Sequence, residues 1–327
     1  LPDGCSAAER SLIEAIPLRY QALEETDRDT LNRWHADYTD RMRATYETHP
    51  LDLDIIALFA EAAVTCTPRQ LWDLETGKPN PNALTEEGVD VLNNGLAQMK
   101  RLQIVHPGIL HMHIHTMEMS PIPETALGSA DMLRGYSPDA GHLQHMPAHI
   151  YILCGDYAQA VEQSRRAVVA DDKYVSAVGD NNFYTTARCH DFHLYMYAAM
   201  FLGQYETAMY AAKRICNAAT PALIAASPPF MASILDGYSA MRTHVFVRFG
   251  KWQELVEDSP PPDPDKTPIR VAMHAYGQGV AHSALGNIEE AEAAQRNFIH
   301  ALRDIPETAI FLSNTVHDVL MVGEAML

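Results

Sequence analysis

Eight of the sixteen histidines lie between His111 and His193, and their spacing carries more than their density. The run His111-Met112-His113-Ile114-His115-Thr116-Met117-Glu118 reads as one helical segment. Each helical residue turns about 100° from the last, so His111 and His115 stack on one face and Glu118 joins them. His113 is turned about 200° from His111 and points elsewhere. Two imidazoles and a carboxylate on one stripe form half of a metal site, with Glu118 as a ligand or as a general base. A second group lies in Gly141-His-Leu-Gln-His-Met-Pro-Ala-His149. Pro147 suits a first helical position, so the helix is expected to start there. His149 would then sit in its first turn, with His142 and His145 in the preceding loop. A helix N-terminus disfavours imidazolium and leaves the neutral, ligating form. His190 and His193, three apart, form a third group.

The candidate ligands are therefore His111, His115, Glu118, His142, His145, His149, His190 and His193. The set is rich in imidazole, with one carboxylate and no obvious thiolate. It suits copper, iron, zinc or nickel and disfavours magnesium and calcium. Six or more imidazoles exceed the needs of one tetrahedral ion, so one to two ions are expected, copper first. Tyr151 and Tyr195 stand beside Glu118 as candidate catalytic groups and Tyr184 could line the same groove, although packing is the commoner role of such tyrosines. Met112, Met117, Met119 and Met146 could support Cu(I), but methionine at these spacings is more often ordinary core filler. Glu162 and Asp191 are candidate orienting partners for imidazole N–H groups, although solvated or capping roles are commoner for such residues. Cys154 and Cys189 lie near His149 and His190 in sequence, which allows a thiol–imidazole pair. Their apolar flanks favour inert buried thiols instead. Serine-hydrolase and nucleotide-binding motifs are absent.

The elements that must position these groups read as helices throughout. The chain of 327 residues is 47 % hydrophobic and 20 % charged, a globular profile. Its net charge of −18 argues against nucleic acid as a partner. No apolar run reaches the roughly 18 residues that span a bilayer, and no signal peptide is visible. Five cysteines without a CxxC pattern fit reduced thiols and a cytoplasmic setting. Amphipathic patterns cover residues 6–24, 28–48, 52–66 and 85–102. A breaker zone lies at Thr76–Asn82 and a further helix is expected from Pro123 to Arg134.

The C-terminal half repeats itself. Gly155-Asp-Tyr157, Gly203-Gln-Tyr205, Gly250-Lys-Trp252 and Gly286-Asn-Ile288 are spaced by 48, 47 and 36 residues. Ala160, Ala208, Leu255 and Ala291 each follow five residues after the glycine. Glycine permits the tight turn of a helical hairpin, and the small residue lets the helices approach. The expected fold is all-α, a superhelix of helical hairpins in a single domain over residues 1–327. Residues 1–105 would form degenerate N-terminal helices. Residues 106–327 would form clearer repeats, interrupted by a Pro-rich loop at 259–268. Successive first helices would line a concave face, and the histidines at 111, 149 and 190 are about one repeat apart.

The segments His106–Glu118, Gly141–Tyr151 and Leu71-Trp-Asp-Leu74 with Gly77-Lys-Pro79 resemble the tetratricopeptide-repeat-like proteins of bacteria and fungi. The resemblance spans roughly residues 8–300. It implies an α-α superhelix but brings no single chemistry with it. Members usually carry an aromatic at the place of His113 and Pro-His-Asn at the place of Cys189-His190-Asp191.

The expected function is a metal-dependent enzyme, an oxidoreductase or oxygenase acting on a small molecule in the groove. A zinc-type hydrolase or lyase is the nearest variant. The alternative from another class is a repeat scaffold that binds a peptide in its concave face. Oligomeric state is left open by the sequence.

Overall fold

Helix follows helix along the chain, opened at several points by side-chain caps and separated by glycine and proline breakers. The computed structural model describes residues 4–23 and 27–327. The helices are α1 (Ala7–Arg19), α2 (Arg28–Thr48), α3 (Leu53–Cys66), α4 (Thr85–Leu102), α5 (Pro107–Met117) and α6 (Leu127–Leu133). They continue with α7 (Gly141–Leu153), α8 (Tyr157–Val178), α9 (Tyr184–Phe201), α10 (Tyr205–Ala218), α11 (Pro221–Ala226) and α12 (Pro229–Ser239). The last are α13 (Met241–Arg248), α14 (Trp252–Val256), α15 (Pro268–Leu285), α16 (Ile288–Leu302) and α17 (Val316–Met326). Among the described residues, the only paired strands are β1 (Ile310–Phe311) and β2 (Asn314–Thr315), an antiparallel hairpin. The protein is all-α. No described helix is long and apolar enough to cross a membrane.

The chain forms two compact units, Leu1–Ser137 with His149–Gly155, and Pro138–Ala148 with Asp156–Leu327. In the first unit the most apolar helix, α3, packs against α2, α4 and α5. It buries Ile55, Ile56, Phe59, Ala60 and Ala63. Gly95 of α4 is the close-approach point. A Cβ there would lie 2.8 Å from Ile56 Cγ2 and 3.0 Å from Ile109 Cδ1, so any larger residue would push α4 off its neighbours. In the second unit α9 packs on α8 and α10, α13 on α10, and α15 on α13 and α16. Gly155, Gly203, Gly250 and Gly286 all take positive φ, between 64° and 81°, at the ends of α7, α9, α13 and α15. Glycine accepts that conformation without steric cost. Tyr157 stacks on Phe201 at 4.7 Å, and Tyr205 meets Phe249 edge-on at 5.3 Å. The aromatic after one turn thus packs on the aromatic that precedes the next. Ala160 and Ala208 are fully buried beneath them.

Three local expectations need correction. The first helix ends at Arg19, and the end expected at residue 24 lies outside the described residues. The segment after Ser120 is a 3-10 turn, Pro123–Ala126, followed by the short α6. Most consequential, α7 does not start at Pro147. It starts at Gly141, where the Gln144 N–H donates to the Ala140 carbonyl at 3.0 Å, and Pro147 sits inside it. His142 and His145 are therefore helical, and His149 is in the third turn. The helix-terminus argument for His149 does not apply.

Candidate metal centre

The His-bearing helix α5 is fixed at both ends. His106 is its N-cap: the Ile109 N–H donates to His106 Nδ1 at 3.3 Å, and Pro107 fills the first helical position. Since Nδ1 accepts, Nε2 carries the proton and donates to Asp54 Oδ1 at 3.0 Å. At the other end the Trp72 indole donates to the Thr116 carbonyl at 2.7 Å, satisfying one of the orphan groups of the last turn. The loop that holds Trp72 is itself ordered. Asp73 accepts from the Glu75 and Thr76 backbone N–H groups at 3.0 Å each, and Trp72 bridges to Pro79. Trp72→Phe removes one hydrogen bond and leaves a carbonyl without its donor. Urea unfolding should show a loss of about 1–2 kcal/mol. An unchanged midpoint would mean that this loop does not anchor α5.

Helical facing sorts the three histidines of α5. His113 is buried and its Nδ1 lies 2.8 Å from Ser129 Oγ, while burial lowers its pKa. His111 and His115 lie on the other side with ring centroids 4.7 Å apart. Glu118 follows directly as the C-cap residue, still in right-handed helical conformation. Its Oε1 lies 3.0 Å from His115 Nδ1, and its Oε2 lies 2.9 Å from His149 Nδ1. Burial works to raise the Glu118 pKa. The charge of His149 and the hydrogen bonds from His115 and His149 outweigh it and hold the carboxyl well below the usual range. An ionised carboxylate only accepts, so both Nδ1 atoms carry protons. Each ring then turns its Nε2 edge away from Glu118. This is the carboxylate–histidine arrangement that orients metal-ligating imidazoles.

In the second unit a different acid stands beside a histidine. On α7, His142, His145 and His149 recur at three and four residues, which places them on one helical face. His145 is fully buried, and its Nδ1 lies 3.2 Å from Asp191 Oδ1. Its ring lies 4.6 Å from that of His190 and 6.1 Å from that of His142. Asp191 is hydrogen-bonded to Asp171, a pair brought together by α9 and α8. Burial, and then the neighbouring acid, push the Asp191 carboxyl well above its usual range. Burial likewise raises Asp171, against a hydrogen bond from Tyr184, whose hydroxyl donates to Asp171 Oδ1 at 2.7 Å. Two buried carboxyls in contact do not both ionise, so they share a proton. Asp171 carries no local signal in the sequence; only the packing of α8 on α9 reveals it.

The remaining candidates lie elsewhere. His193 meets Tyr238 edge-on at 5.8 Å, and burial, with the nearby His244, pushes its pKa down to about 4. Tyr195 belongs to the apolar core of the second unit. The Tyr151 hydroxyl donates to Asp131 Oδ1 at 2.6 Å. Burial pushes the Cys189 thiol up to about 12, so it stays protonated and is no nucleophile. Met112, Met117 and Met146 are core residues.

Among the histidines of this region, two groups of three bring their ligating nitrogens within 4.8 Å of one another, close enough to hold a metal ion. Comparison with known proteins adds no name to this geometry: no family model matches the chain, and no curated protein is significantly similar to it.

Proposed function

We propose that the protein is a metal-dependent oxidoreductase acting on a small molecule, with one or two copper ions held by histidine. The observation that carries this reading is the doubly bonded Glu118, which fixes Nδ1 of both His115 and His149. Simple packing histidines do not need a shared, ionised, nearly buried acid to fix their tautomer. Carboxylates bonded to the far nitrogen of a metal-ligating imidazole do that orienting work in metal sites. In the second unit His145 Nδ1 lies 3.2 Å from Asp191 Oδ1, an acid that burial holds on the protonated side, unlike Glu118. The proposed ligands are His111, His115, His142, His145, His149 and His190. Glu118 is assigned the role of positioning acid rather than ligand or base, because both of its oxygens are engaged by imidazole N–H groups.

An all-imidazole donor set suits copper, iron or zinc. A bound copper or iron would supply electron transfer, and a bound zinc would supply Lewis acidity. The chain's own contribution is to orient the rings of His115 and His149 through one largely buried acid. The similarity of the histidine motifs to tetratricopeptide-repeat-like proteins agrees with a helical-repeat scaffold for this site.

The test is the metal content of protein purified without chelators or a histidine tag, read with its absorption spectrum. Near-stoichiometric copper is expected, with oxygen consumption on phenolic or amino-acid substrates that follows metal loading. Less than about a tenth of an equivalent of any transition metal, unchanged on adding copper, iron or zinc, overturns the metal reading. A colourless zinc form with full activity would move the assignment to hydrolase or lyase chemistry. His115→Ala should lose metal, whereas His113→Ala should keep it and lose only stability, through its buried bond to Ser129. Equal metal loss from the two would overturn the helical facing.

A further inference from the structure

A chamber of about 340 Å³ lies in the second unit, remote in sequence from the histidine segments. Its volume falls within the range of about 300–1,000 Å³ common for small-molecule sites. Ile224, Phe230, Ile269 and Ile305 contribute its apolar walls, and Pro229 and Pro268 open the two helices that flank it. Phe230 is 59 % exposed and Ile310 is 37 % exposed, so large apolar surface is left in water around the chamber.

Two of its polar groups, Asp236 and Ser233, are engaged by the surrounding backbone. Asp236 is buried and spends its carboxylate on the start of α15. It accepts the Ile269 N–H on Oδ2 at 2.7 Å and the Arg270 N–H on Oδ1 at 3.2 Å. The Ser233 hydroxyl donates to the Ile310 carbonyl at 2.8 Å. Lys266 differs. Its ammonium is half exposed and loosely paired with Asp263 at 3.8 Å. It precedes the N-terminus of α15, where the helix dipole also favours negative charge. Burial pushes the Asp236 carboxyl up to about 7, so near neutral pH it opposes an anion less than a fully ionised carboxylate would.

We infer that this chamber binds a small amphiphile with an apolar body and a carboxylate head, the body among the isoleucines and Phe230 and the head at Lys266. The inference is independent of the metal reading.

Isothermal titration of the full-length protein with decanoate, below its micelle concentration, tests it, with decylamine as the oppositely charged control. Decanoate should saturate a single site, and decylamine should bind more weakly. Lys266→Glu reverses the charge at the head and should weaken decanoate by about fivefold or more. Ala232→Trp fills the chamber and should abolish binding. Absence of saturable binding, equal binding of decylamine, or indifference to Lys266→Glu overturns the inference. Unchanged binding in a folded Ala232→Trp protein does so too. If Ala232→Trp does not fold, Lys266→Glu, on a half-exposed side chain, decides alone.

Discussion

Glu118→Gln should lose metal affinity by about 10–100-fold while leaving the fold intact. The carboxylate accepts from His115 Nδ1 at 3.0 Å and from His149 Nδ1 at 2.9 Å. A glutamine of the same shape has one acceptor oxygen and one donor nitrogen. It can satisfy one imidazole N–H but presents its own N–H to the other. One ring must therefore change tautomer or rotate, and in either case its Nε2 edge no longer serves as before. The apo protein feels a separate effect. A carboxyl whose pKa is depressed by folding contributes stability above its unfolded pKa and loses it as pH falls through the folded value. Glu118 is such a group, so the wild type should lose this contribution only in acid, well below the ordinary glutamate range. Glu118→Gln should lack it at neutral pH, and the stability difference between the two should shrink toward low pH. Metal titrations at fixed pH, with urea unfolding of the apo forms, read both effects. If Glu118→Gln binds metal as tightly as the wild type, the carboxylate does not orient ligands and the proposed site fails with it.

How much of this was legible follows from what each signal depends on. The face shared by His111, His115 and Glu118 depends only on helical geometry, and His113 turning to Ser129 is the same rule seen from behind. The hairpin glycines are likewise local, because positive φ and a tight turn need nothing beyond the residue itself. The start of α7 was misplaced because Pro147 favours a first helical turn, whereas the helix runs from Gly141 with Pro147 inside it. The role of Glu118 was visible only as a choice between ligand and base, since its second partner, His149, comes from a distant segment. His193 illustrates the limit of spacing. A residue three positions from His190 is offset by about 60° on a helix, enough to meet Tyr238 instead. Asp171 had no periodicity, motif or flanking signal at all. Its importance arises from burial beside Asp191, which is a property of packing.

Gly141→Ala should be the most damaging small substitution in the second unit, costing about 3 kcal/mol, the upper end of what overpacking usually does. A Cβ at Gly141 would lie 2.0 Å from Asp171 Oδ1, 2.9 Å from its Cγ and 3.0 Å from the Tyr184 hydroxyl. Asp171 has little freedom to yield. It is held by the Tyr184 hydroxyl at 2.7 Å and by its shared proton with Asp191. Glycine at this position therefore lets the first turn of α7 seat directly on the acid pair, and His142 and His145 ride on that turn. A displaced turn would also move His145 off Asp191, so metal content should fall together with stability. Gly128→Ala supplies the control, because a Cβ there meets nothing within 4 Å. As a helical Gly→Ala change it should be neutral or stabilise by up to about 1 kcal/mol. A double-mutant cycle isolates the contact. Asp171→Ala should cost less in the Gly141→Ala background than in the wild type, because the clash disappears with the carboxyl. Equal unfolding midpoints for Gly141→Ala and Gly128→Ala, or strict additivity in the cycle, would show that α7 is seated by something other than the acid beneath its first residue.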